Sequence, residues 1–255
     1  MQRFYAFVLA GVTIASVATA KAANNSSGLA GETDFPRPPI VSRAEWKAKP
    51  PTPGMAPQSI GGIILHHTGV RTNPGISLEK KMRGLQSFSQ RPGQVTPTYS
   101  KPAWPDVPYH FYVDVAGRIA EGRNIRFAGD TNTNYDTRGY IQVVVEGDFE
   151  QEIPNSAQLA TLRDLLVWLE LYWNIQEDKI SVHKNHAPTD CPGGNFMAAL
   201  PQLLKEVAEK RRGAIADLCK DTSALQRAVC SNKSGDGNAT SPTGQTVTPS
   251  TPAPK

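Results

Sequence analysis

Between residues 40 and 212 the chain switches between short continuous apolar runs and longer stretches in which apolar residues recur every three or four positions. Ile60 to Leu65 (IGGIIL) follows a Pro- and Gly-rich stretch and has the pattern of a buried strand, which delivers His66 at its end. Ser77 to Ser89 places Leu78, Met82, Leu85 and Phe88 at helical spacing behind Ser77, a candidate cap. Residues 90–108 hold five prolines and are expected to form a long loop. HFYVDVAGRI (110–119) alternates, with Ala116-Gly117 near a turn, and Ile141 to Val145 is a second buried strand run. From Ser156, after Pro154 and Asn155, the residues Leu159, Leu162, Leu165, Leu166, Leu169 and Trp173 draw an apolar stripe suited to covering one sheet face. A further helix is expected from about Phe196 to Arg212, ending before Gly213. These elements predict an α/β fold with a mixed central β-sheet flanked by helices.

The ends of the chain have other compositions. Residues 1–22 read as an export signal: Arg3 supplies the positive start, Phe4 to Val17 is apolar, and Ala18-Thr19-Ala20 or Ala20-Lys21-Ala22 offers small residues for cleavage. No later run approaches the roughly 20 apolar residues of a membrane helix, so the mature chain is expected without a transmembrane segment, exported to the periplasm or beyond the cell. Residues 23–40 form a flexible lead-in, 41–212 the main domain, 213–230 a helical extension, and 231–255 a Ser-, Thr- and Pro-rich tail expected to be disordered. The formal charge of +4 falls to about +2 once Arg3 and Lys21 leave, too little to indicate a nucleic-acid partner. In an oxidising compartment Cys219 and Cys230 are expected to be bridged, which leaves Cys191 apart.

Cys191 matters because of what lies near it. All five histidines fall in three short segments, LHH (65–67), YHF (109–111) and VHKNHAPTDC (182–191). A histidine ending an apolar run, with His183 and Cys191 closing a turn-forming segment, offers two imidazoles and a thiolate, a Zn2+ donor set with one position open. An open position favours catalysis over scaffolding. Adjacent strand residues point to opposite faces, so periodicity alone leaves His66 and His67 as alternatives. His110 and His186 read more simply as hydrogen-bonded core residues than as ligands. The H-E-x-x-H helix of common metalloproteases is absent, so water activation would rest on the metal and on nearby hydroxyls such as those of Tyr109 and Thr189.

From Val41 to Phe196 the chain resembles the zinc-dependent N-acetylmuramoyl-L-alanine amidase family, which includes phage amidase-lysozymes and animal peptidoglycan recognition proteins. The resemblance is carried by VSRAEW (41–46), IILHHTG (63–69), MRGLQSF (82–88), WPDVPYHFYVDVAGRIAEGR (104–123), VVVEGDF (143–149) and VHKNHAPTDCPGG (182–194). It implies zinc held at His66, His183 and Cys191, with Tyr109 beside the metal. It also implies Thr189 as the residue two before the cysteine that helps stabilise an oxyanion. Relatives acting on anhydro-muropeptides use Asp as third ligand and a Glu on the central strand, where this chain has Cys191 and Val144; Glu146 lies two residues on.

The activity so implied is hydrolysis of the amide between N-acetylmuramic acid and L-alanine in bacterial peptidoglycan or muropeptides. The alternative is a recognition module that binds peptidoglycan without cutting it, although the resemblance ties that behaviour to loss of the Cys ligand. A metalloprotease acting on protein would share the zinc chemistry.

Overall fold

The apolar runs become parallel strands covered on both faces. Residues 36–96 and 99–220 are described in the computed structural model. In chain order they form β1 (Ile40–Val41), β2 (Gly62–His67), α1 (Leu78–Ser89), β3 (Gly93–Thr96), β4 (Tyr99–Lys101), β5 (Phe111–Val113), β6 (Ile119–Glu121), β7 (Tyr140–Val145), α2 (Ser156–Trp173), β8 (Ile180–Val182) and α3 (Gly194–Lys220). The main sheet runs β1-β6-β5-β7-β2-β8. β5, β7, β2 and β8 are mutually parallel, β6 is antiparallel to β5, and β1 is parallel to β6. The sheet is mixed, as the patterns predict.

Strand parity decides what each face carries. Ile63 and Leu65 of β2, Phe111 and Val113 of β5, and Ile141, Val143 and Val145 of β7 pack with Leu162, Leu165, Leu166 and Leu169 of α2 and Phe196, Leu203 and Val207 of α3. Tyr112, Ala120 and Val144 face the other way and pack with Trp46, Val107 and the α1 residues Leu78 and Met82. In register His66 stands beside Val144 and so shares the α1 face, whereas His67 shares the face of Phe149, 6.1 Å from it ring to ring.

Local chemistry sets the helix starts. The Ser77 side chain accepts from Lys80 N at the start of α1. At α2, Asn155 Oδ1 accepts from Gln158 N at 2.9 Å while Gln158 Oε1 accepts from Asn155 N at 3.1 Å, a reciprocal cap.

Three elements depart from expectation. The proline-rich stretch is not all loop: β3 and β4 form an antiparallel strand pair, with Pro92 and Pro102 outside the strands, where a missing N–H costs no ladder bond. Buried Lys101 ties it down by donating to the carbonyls of Ser89, Arg91 and Pro102. β8 was not expected, because three residues are too few to show a pattern. Finally, α3 runs through Gly213 to Lys220 rather than ending before it. A terminating glycine takes positive φ, and Gly213 does not.

Among the described residues no helix is long and apolar enough to cross a membrane. Cys219 is disulfide-bonded. Its expected partner Cys230, the segment read as an export signal, most of the lead-in and the Ser/Thr/Pro-rich tail lie outside the described residues.

Candidate metal centre

The C-terminal ends of the paired parallel strands β2 and β8 bring His66 and His183 together. His66 is near the end of β2, and His183 begins a 3-10 turn, His183–Asn185, directly after β8, the strand paired with β2. Cys191 returns from the following loop, where Lys184 N donates to Cys191 O and the His67 N–H donates to Cys191 Sγ at 3.4 Å. One ligand atom each from His66, His183 and Cys191 lies within 4.8 Å of the other two, and no other His, Cys, Asp or Glu among the described residues joins the group. His66 Nδ1 is 3.7 Å from Cys191 Sγ. A tetrahedral zinc sets sulfur and nitrogen ligands about 3.5 Å apart, so this donor set and spacing fit that ion.

The loop is held at its base by Gly193. Its φ is +96°, and a Cβ there would stand 2.5 Å from the Phe149 carbonyl carbon. Only glycine permits both that conformation and that approach.

Electrostatics prepare the nitrogens and hold back the sulfur. Burial, reinforced by His183, holds His66 down at about 3. Burial, with His186 and His67 nearby, holds His183 at about 4. Both imidazoles are therefore neutral near pH 7 and keep a lone pair for an ion. Burial pushes the Cys191 thiol up to about 12, against the His67 N–H, which lowers it. A cation binding here would have to displace that proton.

The remaining sequence candidates divide. The Tyr109 ring lies 5.3 Å from the His66 ring, and its phenol is raised by burial and then by Cys191, so it stays protonated. Thr189 Oγ1 accepts from Cys191 N at 3.2 Å, which leaves its own proton free to donate. His110 is a buried core residue: its Nδ1 accepts from Gln142 N at 2.8 Å and its Nε2 donates to Phe127 O at 2.9 Å. His186 Nε2 is 2.8 Å from Ser181 Oγ, with its ring against Tyr135 and Tyr140. Glu146 is taken up by Lys81 Nζ at 2.7 Å and by the N–H groups of Asn73 and Val115. Its carboxylate is a structural hub.

Sequence reasoning missed Gln142, Thr133 and Tyr135. Gln142 Oε1 is 2.6 Å from His66 Nε2, Thr133 Oγ1 is 2.7 Å from His183 Nε2, and the Tyr135 ring is 5.3 Å from that of His183. One signal was present: Gln142 is an amide inside the apolar run Ile141 to Val145. For Thr133 and Tyr135, in a polar loop, there was none.

Comparison with known proteins agrees with this architecture. Residues 56–194 match the family described as N-acetylmuramoyl-L-alanine amidase. Peptidoglycan-recognition protein SD of Drosophila simulans is 29% identical over 172 residues, which cover 64% of this chain and 85% of that protein. The N-acetylmuramoyl-L-alanine amidase of Mus musculus is 30% identical over 165 residues, which cover 61% of this chain but 29% of the mouse protein. The crystal structure of Drosophila peptidoglycan recognition protein SD superposes with a TM-score of 0.56 at 26% identity, covering 64% of this chain and 94% of that one. Drosophila PGRP-LB gives 0.54 at 24% identity, covering 64% of this chain and 92% of its own, and speaks for the fold. With the matched segment spanning more than half of the chain and the fold in agreement, the chain belongs to the N-acetylmuramoyl-L-alanine amidase family.

Proposed function

We propose that this chain is an exported zinc hydrolase that cleaves the amide between N-acetylmuramic acid and L-alanine in peptidoglycan. The observation that carries the reading is the convergence of two neutral imidazoles and a thiol within 4.8 Å, with no fourth protein ligand among the described residues. A structural zinc normally recruits four protein ligands, and a catalytic one three. His66, His183 and Cys191 would hold the ion, with a net site charge of about +1 once the thiol ionises. Bound there, zinc would supply Lewis acidity and lower the pKa of a water toward about 7.

The chain's own groups do the rest. Tyr109, kept protonated, would donate a hydrogen bond to the oxygen that gains charge as water adds to the carbonyl carbon. Thr189 would donate another with the proton that its contact to Cys191 N leaves free. The carbon–nitrogen bond then breaks, the lactyl group of the muramic acid leaves as a carboxylic acid, and the nitrogen departs as the free amine of L-alanine. Peptidoglycan as substrate is supported by relatives named for amidase activity and for peptidoglycan recognition.

The recognition protein among these relatives favours a second reading, a binding module that does not cut. The complete His-His-Cys set supports the first. Incubating the mature protein with purified cell wall separates them. New L-Ala amino termini on released stems are expected; wall that binds protein but yields no new termini would establish the second reading and overturn the first.

A further inference from the structure

His66 and His183 share an arrangement that their role as ligands does not itself require. Each has its Nε2 on a neutral oxygen, Gln142 Oε1 at 2.6 Å for His66 and Thr133 Oγ1 at 2.7 Å for His183. For His66 this leaves Nδ1 on the side of Cys191, 3.7 Å from Sγ. A neutral imidazole carries one proton, so an Nδ1 ligand must carry it on Nε2, where an acceptor holds it. Gln142 Oε1 can only accept. Were its amide turned over, the amide NH2 would face His66 Nε2 and move the ring proton to Nδ1, the atom beside the sulfur.

The cost of this orientation is visible. Gln142 is 1% exposed and its Nε2 has no hydrogen-bond partner among the described residues, an expensive condition for a buried donor. Its oxygen, by contrast, takes both His66 and the Tyr135 hydroxyl, the latter at 3.4 Å. The backbone is fixed as well: Gln142 N donates to His110 Nδ1, and His110 N donates to Gln142 O, each at 2.8 Å. Buried His110 thus anchors the strand position from which Gln142 reaches His66. On the other side Thr133 is held by Thr131, whose Oγ1 accepts from Thr133 N at 3.1 Å and lies 2.8 Å from Thr133 Oγ1.

We infer that Gln142 and Thr133 are positioning residues that set His66 and His183 as Nδ1 metal ligands, with Gln142 leaving its buried NH2 group without a partner among the described residues to do so. The inference rests on the metal reading above. Hydrogen-bond partners of ligand imidazoles typically change metal affinity about 10- to 100-fold.

The test uses the metal alone. Zinc affinity is measured by chelator competition on the mature wild type and on Q142M, Q142E, T133V and T133S, alongside the thermal midpoint of each metal-free protein. Q142M and T133V are expected to bind zinc about 10- to 100-fold more weakly. Q142E and T133S, which keep an acceptor, should return to within a few-fold of wild type. The metal-free Q142M protein loses the unpaired amide NH2 and, with it, the acceptor of His66 and Tyr135, opposing effects that should leave its melt within a few degrees of wild type; a merely structural glutamine would instead show a lower melt with zinc affinity unmoved.

Wild-type affinity in both Q142M and T133V overturns the assignment, as does weakened binding that the acceptor-keeping variants fail to restore. Should Q142M not fold, the T133V and T133S pair, on a half-buried loop, decides in the same way. If the wild type itself takes up no zinc, the metal reading falls and this inference with it; a zinc-binding wild type with unaffected variants removes only this inference.

Discussion

Tyr109 reaches the centre from the segment before β5, 5.3 Å ring to ring from His66, with its phenol held in the neutral form by burial. Its proposed work is donation to a developing oxyanion, an interaction worth about 2.7–4 kcal/mol where one donor has been removed from such a site. Tyr109→Phe is therefore expected to keep its zinc and lose about 10²- to 10³-fold in kcat. Metal analysis beside initial rates checks this, and equal rates would remove Tyr109 from the chemistry. Gly193 acts earlier, on the shape of the ligand loop. In Gly193→Ala, the methyl would meet Phe149 at 2.5 Å in a conformation alanine rarely adopts, so the variant should lose about 1–3 kcal/mol of stability. Denaturant unfolding reads that loss directly, and an unchanged midpoint would contradict it.

Between elements, the α2–α3 contact carries a charge that the apolar stripe hides. Glu170 of α2 is fully buried, neither carboxylate oxygen has a hydrogen bond among the described residues, and Arg211 Nε of α3 is 3.7 Å away. Burial raises Glu170 to about 7; Arg211 works against the rise and Glu177 adds to it. A carboxyl whose folded pKa lies above its unfolded value binds protons more tightly in the folded state. Its stabilising contribution is therefore complete below about pH 4.5 and is lost as pH climbs toward 7. A difference between 4.5 and about 7 corresponds to roughly 3 kcal/mol at most. Glu170→Gln should flatten stability between pH 5 and 8 and be more stable than wild type at pH 8. Urea melts at the two pH values test this; an unchanged pH slope would show that Glu170 is not the group responsible.

The legibility of the sequence followed the same physics. α1, α2 and the core of β2 and β7 were readable because their apolar residues keep one period over many positions, as Leu162, Leu165, Leu166 and Leu169 do. β8 has three residues and the strand pair β3–β4 lies among prolines, so neither had a period to show. Gly213 carried a stop signal that a helix packed through Arg211 does not obey. At the candidate site, His183 and Cys191 were legible from their spacing. The choice of His66 over His67 needed the family resemblance, and strand parity in the folded sheet now supplies a reason for it. Gln142 and Thr133 escaped because a hydrogen bond between residues 50 or 76 positions apart leaves no local trace.

For the molecule as a whole, sheet, helices and loops bring a pair of imidazoles and a sulfur to the ends of parallel strands, the common place for a site in an open α/β sheet. The function proposed for it stands on that trio holding an ion. The most direct test is elemental analysis of the purified protein and of Cys191→Ser prepared identically, with circular dichroism to show that both are folded. The account predicts one zinc per wild-type chain and loss of most of it, together with wall-cleaving activity, in the folded variant. A wild type without zinc, or a variant that retains its zinc in full, would contradict it.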